Sequence, residues 1–126
     1  MANIHKEERL KGVHPSLVEV VRKAAEHCTV DFEVREGVRS LSTQKRYVEQ
    51  GVSKTLKSKH LPQIDGYGHA VDLYPVVDGK VFTVDWDPTF ADIAYGMKEA
   101  AKELGIEIIW GGDWKSFKDG PHYELV

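Results

Sequence analysis

Apolar residues recur with a helical period from Pro15 onward. Leu17, Val18, Val20, Val21, Ala24 and Ala25 form one stripe toward His27, while Glu19, Arg22, Lys23 and Glu26 occupy the other side. Proline is accepted at the first helical position, so this segment predicts a core-packing helix with one solvated face. From Asp31 to Val38 the period shortens to alternation, with Phe32 and Val34 set between polar neighbours, which predicts a strand ended by Gly37 and leading to Arg39-Ser40. Ser42 or Thr43 can cap a second short helix that carries Gln44, Tyr47 and Val48 and stops at Gly51. From there to Gly68 the chain is loop-like, dominated by Ser, Lys, Thr, Pro, Asp and Gly.

Ala70 to Val77 reads as a strand, and Asp78-Gly79 before Lys80-Val81-Phe82-Thr83-Val84 is a hairpin signal. Asp87-Pro88 opens the longest helix, with Phe90, Ile93, Ala94, Met97, Ala101 and Leu104 at helical spacing and Gly105 as its stop. Ile106 to Trp110 is expected to be a buried strand. A polar, aromatic loop follows Gly111-Gly112, and a last short strand is expected around His122 to Leu125. Helices and strands with a hairpin between them predict an α+β fold: one domain over residues 1–126, a mostly antiparallel sheet flanked by helices.

With 126 residues and 41% hydrophobic content, the chain can bury one real core and has no room for a second domain. A formal charge of −3 argues against holding nucleic acid or an anionic membrane by bulk electrostatics. The single cysteine, Cys28, excludes an intrachain disulfide and is expected to be a small buried hydrophobe on a helix. The first nine residues lack the apolar run of a secretory signal, and no stretch is apolar enough to span a bilayer. A monomer without nucleic-acid partners or membrane insertion is expected.

The candidate chemistry lies in two glycine-bearing segments: Ser58-Lys59-His60 with Gly68-His69-Ala70-Val71-Asp72, and Asp119-Gly120-Pro121-His122. Two imidazoles and one carboxylate can hold a catalytic zinc while a fourth position stays open for water, and a spare aspartate remains to take a proton. Strand alternation puts Ala70 and Asp72 on one face and His69 and Val71 on the other, so His69 and Asp72 are poor partners for one ion. His60, in the upstream loop, is the better partner for Asp72, and His122 completes the set, with the zinc site expected at one edge of the sheet. A carboxylate at position 72 of an apolar strand is costly unless paired or metal-bound. His5, His14 and His27 are read as surface or hydrogen-bonded structural residues. Asp119 before Gly-Pro is equally a turn-former.

The string from Ser58 to Asp72 resembles the Ser-x-His … Gly-x-Ala-x-Asp signature of the D-alanyl-D-alanine carboxypeptidase-like zinc peptidases, and Asp119 to His122 resembles their second motif. Glu36-Gly37-Val38-Arg39-Ser40 with Gln44 and Gly51, and Trp110-Gly111-Gly112-Asp113-Trp114, extend the resemblance over most of the chain. Within that family the pattern is similar to phage endolysins acting as L-alanyl-D-glutamate peptidases. The resemblance implies zinc (Zn2+) held by His60, Asp72 and His122, Asp119 as general base, and Arg39 stabilising charge on the substrate carbonyl. It implies a peptidoglycan stem peptide as substrate, cleaved between L-alanine and D-glutamate with host cell lysis as the outcome. It also implies a protein made in the cytoplasm of an infected bacterium that reaches the wall after pore-mediated release. A carboxypeptidase or dipeptidase on the same scaffold, and a non-catalytic zinc-binding module, are the alternatives.

One departure stands out. Leu61-Pro62-Gln63-Ile64-Asp65-Gly66-Tyr67 intervenes before Gly68. It is read as a loop insertion at the rim of the site, which leaves His69 as the alternative ligand. Trp110, Trp114, Phe117 and Tyr123 form either a wall of the cleft or part of the core. Gly111-Gly112 is expected to let the backbone approach a peptide closely. Lys54, Lys57, Lys59, Lys115 and Lys118 either meet carboxylates of the wall peptide or belong to solvated loops.

Overall fold

The computed structural model describes residues 2–39, 41–51, 58–81, 88–115 and 118–126. The expected helix-opening Asp87, the hairpin continuation at Phe82, Thr83 and Val84, and also Ser40, Lys54, Lys57 and Phe117 lie outside the described residues.

Among the described residues there are three α-helices and six strands: β1 Ile4–His5, α1 Pro15–Ala24, β2 Asp31–Glu36, α2 Leu41–Glu49, β3 Ala70–Val77, β4 Lys80–Val81, α3 Pro88–Leu104, β5 Ile108–Trp110 and β6 His122–Leu125. The sheet runs β1-β2-β3-β6-β5, with β4 paired to the far end of β3. All pairings are antiparallel except that of β1 with β2. The α+β reading therefore holds, with a mixed sheet.

Alternation along the strands divides the sheet into two faces. Phe32 and Val34 of β2, Val71 and Leu73 of β3, and Tyr123 and Leu125 of β6 turn inward and join Leu17, Val20, Val21, Ala24, Ile93, Met97 and Ala101 from α1 and α3 in one core. Each fully buried aliphatic or aromatic side chain contributes about 1.5–3 kcal/mol. Covering one face with two helices leaves the other free for polar side chains. The helices meet closely because position 96 is glycine: a Cβ there would lie 2.3 Å from the Cys28 sulfur and 3.0 Å from the Ala24 carbonyl oxygen. Cys28 is buried just after α1 rather than on it. Burial first, then the neighbouring Asp92 carboxylate, pushes its thiol up to about 12, so it behaves as a hydrophobe.

Several element ends follow directly from sequence signals. Pro15 opens α1, and the His14 ring, through Nδ1, accepts a hydrogen bond from the Ser16 amide at 3.0 Å, giving that histidine a structural role. Asp78 and Gly79 both take positive φ, the geometry of a tight hairpin turn. The second helix begins earlier than expected: it includes Leu41, so Ser42 and Thr43 lie inside its first turn and are not its cap. The expected buried strand at 106–110 is a shorter edge strand with Ile109 36% exposed, because β6 inserts between it and β3 and leaves β5 outermost.

Candidate metal centre and active site

The polar face of the central strands carries the candidate chemistry. Asp72 on β3 lies directly opposite His122 on β6, so their side chains project to the same side. His60 reaches them from the loop before β3. Its imidazole is 2% exposed, its Nε2 lies 3.3 Å from Asp72 Oδ1, and His122 Nδ1 lies 3.3 Å from the same oxygen. The three candidate donor atoms all fall within 4.8 Å of one another, and no other such group of three occurs among the described residues. The group sits over the middle of the sheet. The expectation of a site at one edge is corrected, because the outer strands are β1 and β5.

The donor set fits a divalent cation. Tetrahedral coordination with bonds of about 2.0–2.1 Å has ligand–ligand edges of about 3.3 Å, which is the spacing of Asp72 Oδ1 to both imidazoles. The outward nitrogens are already used. His60 Nδ1 donates to the Gly37 carbonyl at 2.9 Å, and His122 Nε2 donates to Glu124 Oε1 at 2.8 Å. Each ring therefore turns its other nitrogen toward Asp72. Among these side chains alone, burial opposes charge on Asp72, but hydrogen bonds from His122 and His60 outweigh it and hold the carboxyl well below its ordinary range. Burial likewise opposes charge on His122, and hydrogen bonds to Asp72 and Glu124 raise it to about 9. An ion would take the place of the protons that these pairings hold.

A β-bulge brings the neighbouring groups into place. Val34 pairs with Leu73 but Glu36, not Arg35, pairs with Asp72, so one extra residue bends β2 beside the site. Glu36 joins Arg35 in lining the cleft as a result, and the chain beyond presents the Gly37 carbonyl to His60. The Arg39 amide donates to the His60 carbonyl at 2.8 Å. The Arg39 guanidinium pairs with Glu36 through Nε and lies over the Tyr47 ring, 4.8 Å from its centroid. These contacts pre-orient a cation in a cleft of about 660 Å³ that also contains His60, Asp72, His122, Asp119, Tyr74 and Trp114.

Asp119 is half-buried in that cleft. Burial first, then the negative charge of Asp72, pushes its carboxyl above the ordinary range. Its backbone is tightly held: the Asp119 amide donates to the Gly111 carbonyl at 3.0 Å, and the Asp119 carbonyl accepts from the His122 amide at 3.1 Å. The Gly111-Gly112 pair thus serves the protein's own packing instead of leaving room for a peptide. A Cβ at 111 would stand 2.3 Å from the Asp119 carbonyl oxygen, and one at 112 would stand 2.3 Å from the Trp110 indole. Backbone cannot yield as a flexible side chain does. Gly111→Ala is therefore expected to lower stability by about 1–3 kcal/mol, the usual scale of overpacking, and to displace Asp119. Thermal denaturation checks the effect, and an unchanged melting temperature would remove this role.

The other sequence candidates separate cleanly. His69 binds Asp65 instead, Nε2 to Oδ2 at 2.7 Å, and is not part of the His60–Asp72–His122 group. His5 and His27 pair with Asp31 and Glu103 respectively, away from the cleft. The 61–67 insertion closes on itself through Gln63 N to Tyr67 O and Gly66 N to Gln63 O, each 2.8 Å. None of its residues lines the cleft, which corrects its placement at the rim. Of the four aromatic candidates, Trp114 stands against His122 with ring centroids 5.1 Å apart, and Tyr123 belongs wholly to the core. Trp110 packs against the core and donates through its indole nitrogen to the Gly120 carbonyl at 2.6 Å. Lys59 lines the cleft, while Lys115 and Lys118 are exposed and do not. Sequence reasoning missed Arg35, Tyr74 and Glu124. Tyr74 and Glu124 were discoverable, since each stands two positions after a candidate ligand on the same strand and so shares its face. Arg35 was too, since it alternates with the core residues Phe32 and Val34, whereas the cleft position of Glu36 depends on the bulge.

Known proteins resemble this chain in sequence and in fold. The L-alanyl-D-glutamate peptidase of Escherichia phage T5 is 32% identical over 136 aligned positions, covering 95% of this chain and 93% of the phage protein. The crystal structure of the Serratia marcescens L-Ala D-Glu endopeptidase ChiX superposes with a TM-score of 0.85 at 45% identity, covering 97% of this chain and 86% of that one. The vancomycin-resistance D,D-dipeptidase VanXYg shares the fold at a TM-score of 0.54 and 15% identity, over 90% of this chain and 50% of its own. A family model described as phage L-alanyl-D-glutamate peptidase matches residues 3–126, and this chain belongs to that family.

Proposed function

We propose that this chain is a zinc-dependent peptidoglycan endopeptidase that hydrolyses the bond between L-alanine and D-glutamate in the stem peptide. The observation that carries the reading is the His60–Asp72–His122 group on the floor of a cleft that also holds the half-buried Asp119. The names of the T5 and Serratia relatives support the bond assignment.

His60, Asp72 and His122 would hold the ion, which when bound supplies Lewis-acid activation of water and of the amide carbonyl. Asp119 accepts the proton of the water that attacks the carbonyl carbon. The carbon–nitrogen bond then breaks, and Asp119 returns that proton to the departing D-glutamate amine. Its raised carboxyl suits the first of these steps, because a carboxylate of higher pKa is the stronger base toward the attacking water. Arg39, pre-oriented by Glu36 and Tyr47, stabilises negative charge developing on the carbonyl oxygen. A non-catalytic zinc-binding module would have no use for a carboxylate held half-buried beside the ligands. The proposed route to the wall is release from the cytoplasm of the infected host through a membrane pore.

Digestion of purified peptidoglycan, followed by mass spectrometry of the products, tests the bond. New D-glutamate amino termini, with glycan strands that keep only L-alanine, are expected. Release of free D-alanine from an otherwise intact stem would hand the site to the carboxypeptidase reading.

A further inference from the structure

We infer that Glu124 is a positioning residue for the metal centre, holding His122 in the tautomer that turns Nδ1 toward the ion. The inference rests on the proposal that His60, Asp72 and His122 bind a divalent cation, and it concerns a residue outside that ligand set.

Glu124 follows His122 by two positions on β6, so both side chains emerge on the cleft face. Directly across the ladder stands Ala70, whose small side chain leaves that face open for a long carboxylate to fold back along its own strand. Glu124 Oε1 then meets His122 Nε2 at 2.8 Å, with the two side chains 16% and 9% exposed. Among the described residues, His122 is the hydrogen-bond and ion-pair partner of this carboxylate. No cation among the described residues pairs with it.

The two imidazoles are therefore anchored unequally. His60 is oriented by a neutral acceptor, the Gly37 carbonyl, and offers Nε2, whereas His122 is oriented by a charged acceptor and offers Nδ1. Without Glu124 the His122 proton is free to sit on Nδ1, which closes that nitrogen to a metal, and the ring is free to turn. A carboxylate on the outer nitrogen also makes the inner one a stronger donor. Loss of such an outer partner typically weakens metal affinity about 10–100-fold.

The test is zinc affinity, measured without substrate by competition with a chromophoric chelator, for wild type, Glu124→Ala and Glu124→Gln. Weakening of about 10–100-fold is expected for the alanine variant. Glutamine keeps an acceptor oxygen without the charge, so a smaller loss is expected, together with a fall in kcat at nearly constant KM when zinc is limiting. Circular dichroism checks the fold, and if the alanine variant unfolds, the near-isosteric glutamine variant decides. Affinity within twofold of wild type in the folded variants overturns the inference. A raised KM with unchanged zinc affinity also overturns it, by making Glu124 a substrate contact. A wild type that binds no zinc defeats the metal reading itself, whereas a different cleaved bond leaves this inference intact.

Discussion

Alanine at His60 or His122, or asparagine at Asp72, is expected to reduce peptidoglycan hydrolysis by about three orders of magnitude or more, because the ion supplies several kcal/mol of transition-state stabilisation and each ~1.4 kcal/mol is tenfold in rate. Metal content should fall with activity, from one zinc per wild-type chain. Treatment with chelator should reproduce the loss, and added zinc should reverse it in the wild type. Asp72→Asn is the most informative of the three. It keeps the volume of a side chain at the centre of two 3.3 Å contacts while removing the charge that both histidines face. His60→Ala additionally removes the bond to the Gly37 carbonyl, so some of its effect will be structural. His69→Ala is the control: its ring pairs with Asp65, and metal content should be unchanged. Full activity of the Asp72 variant in chelator would defeat the metal assignment, and metal loss in the His69 variant would reopen the ligand set.

Asp119→Asn should keep the metal and the fold and yet lose about two or more orders of magnitude in turnover, the usual scale for a general acid-base group. The pH profile supplies an independent check. Because burial and Asp72 raise the Asp119 carboxyl in the metal-free protein, its titration followed there by NMR should fall at a higher pH than an ordinary aspartate would give. Stability should move the other way. A carboxyl raised above its unfolded value of 3.8 contributes stability that is fully present below that value and is lost as pH rises through the folded one. At neutral pH its ionised form is thus a cost, and the neutral asparagine should melt no lower than the wild type, and slightly higher if the turn is undisturbed. Near-normal turnover would reassign the base. A large drop in melting temperature would mean that Asp119 serves mainly to hold its turn.

The contrast between these two variants explains how much the chain discloses in advance. The strand at 70–77 and the closing strand at 122–125 were legible residue by residue, because period-two alternation and flanking turn residues are local properties. The ends of α1 and α3 were legible for the same reason: Pro15 and Gly105 act within one turn of themselves. The placement of β5 was not legible from its own residues. Whether Ile108 and Ile109 lie in the centre or at the edge depends on β6, which arrives about fifteen residues later and inserts between them and β3. The 61–67 insertion was misplaced for a similar reason. Its composition announces a loop, but its direction comes from turn bonds within it and from the pairing of Asp65 with His14 and His69.

The site divides along the same line. Sequence alone named the candidates: two histidines, one strand carboxylate and one aspartate ahead of a glycine-proline turn, together with the argument from alternation that separates His69 from Asp72. It also determined that these groups are costly to bury unless they are paired, which marks them out before any fold is known. Only the tertiary structure decided that His60, Asp72 and His122 meet with 3.3 Å spacings, since this depends on the register that sets Asp72 opposite His122 and on the bulge that offers the Gly37 carbonyl to His60. It likewise decided that Gly111 makes room for Asp119 and that Glu124 orients His122. Residue identity and local periodicity are written along the chain, whereas distances between segments sixty residues apart are set by strand pairing and core packing, which no single segment encodes.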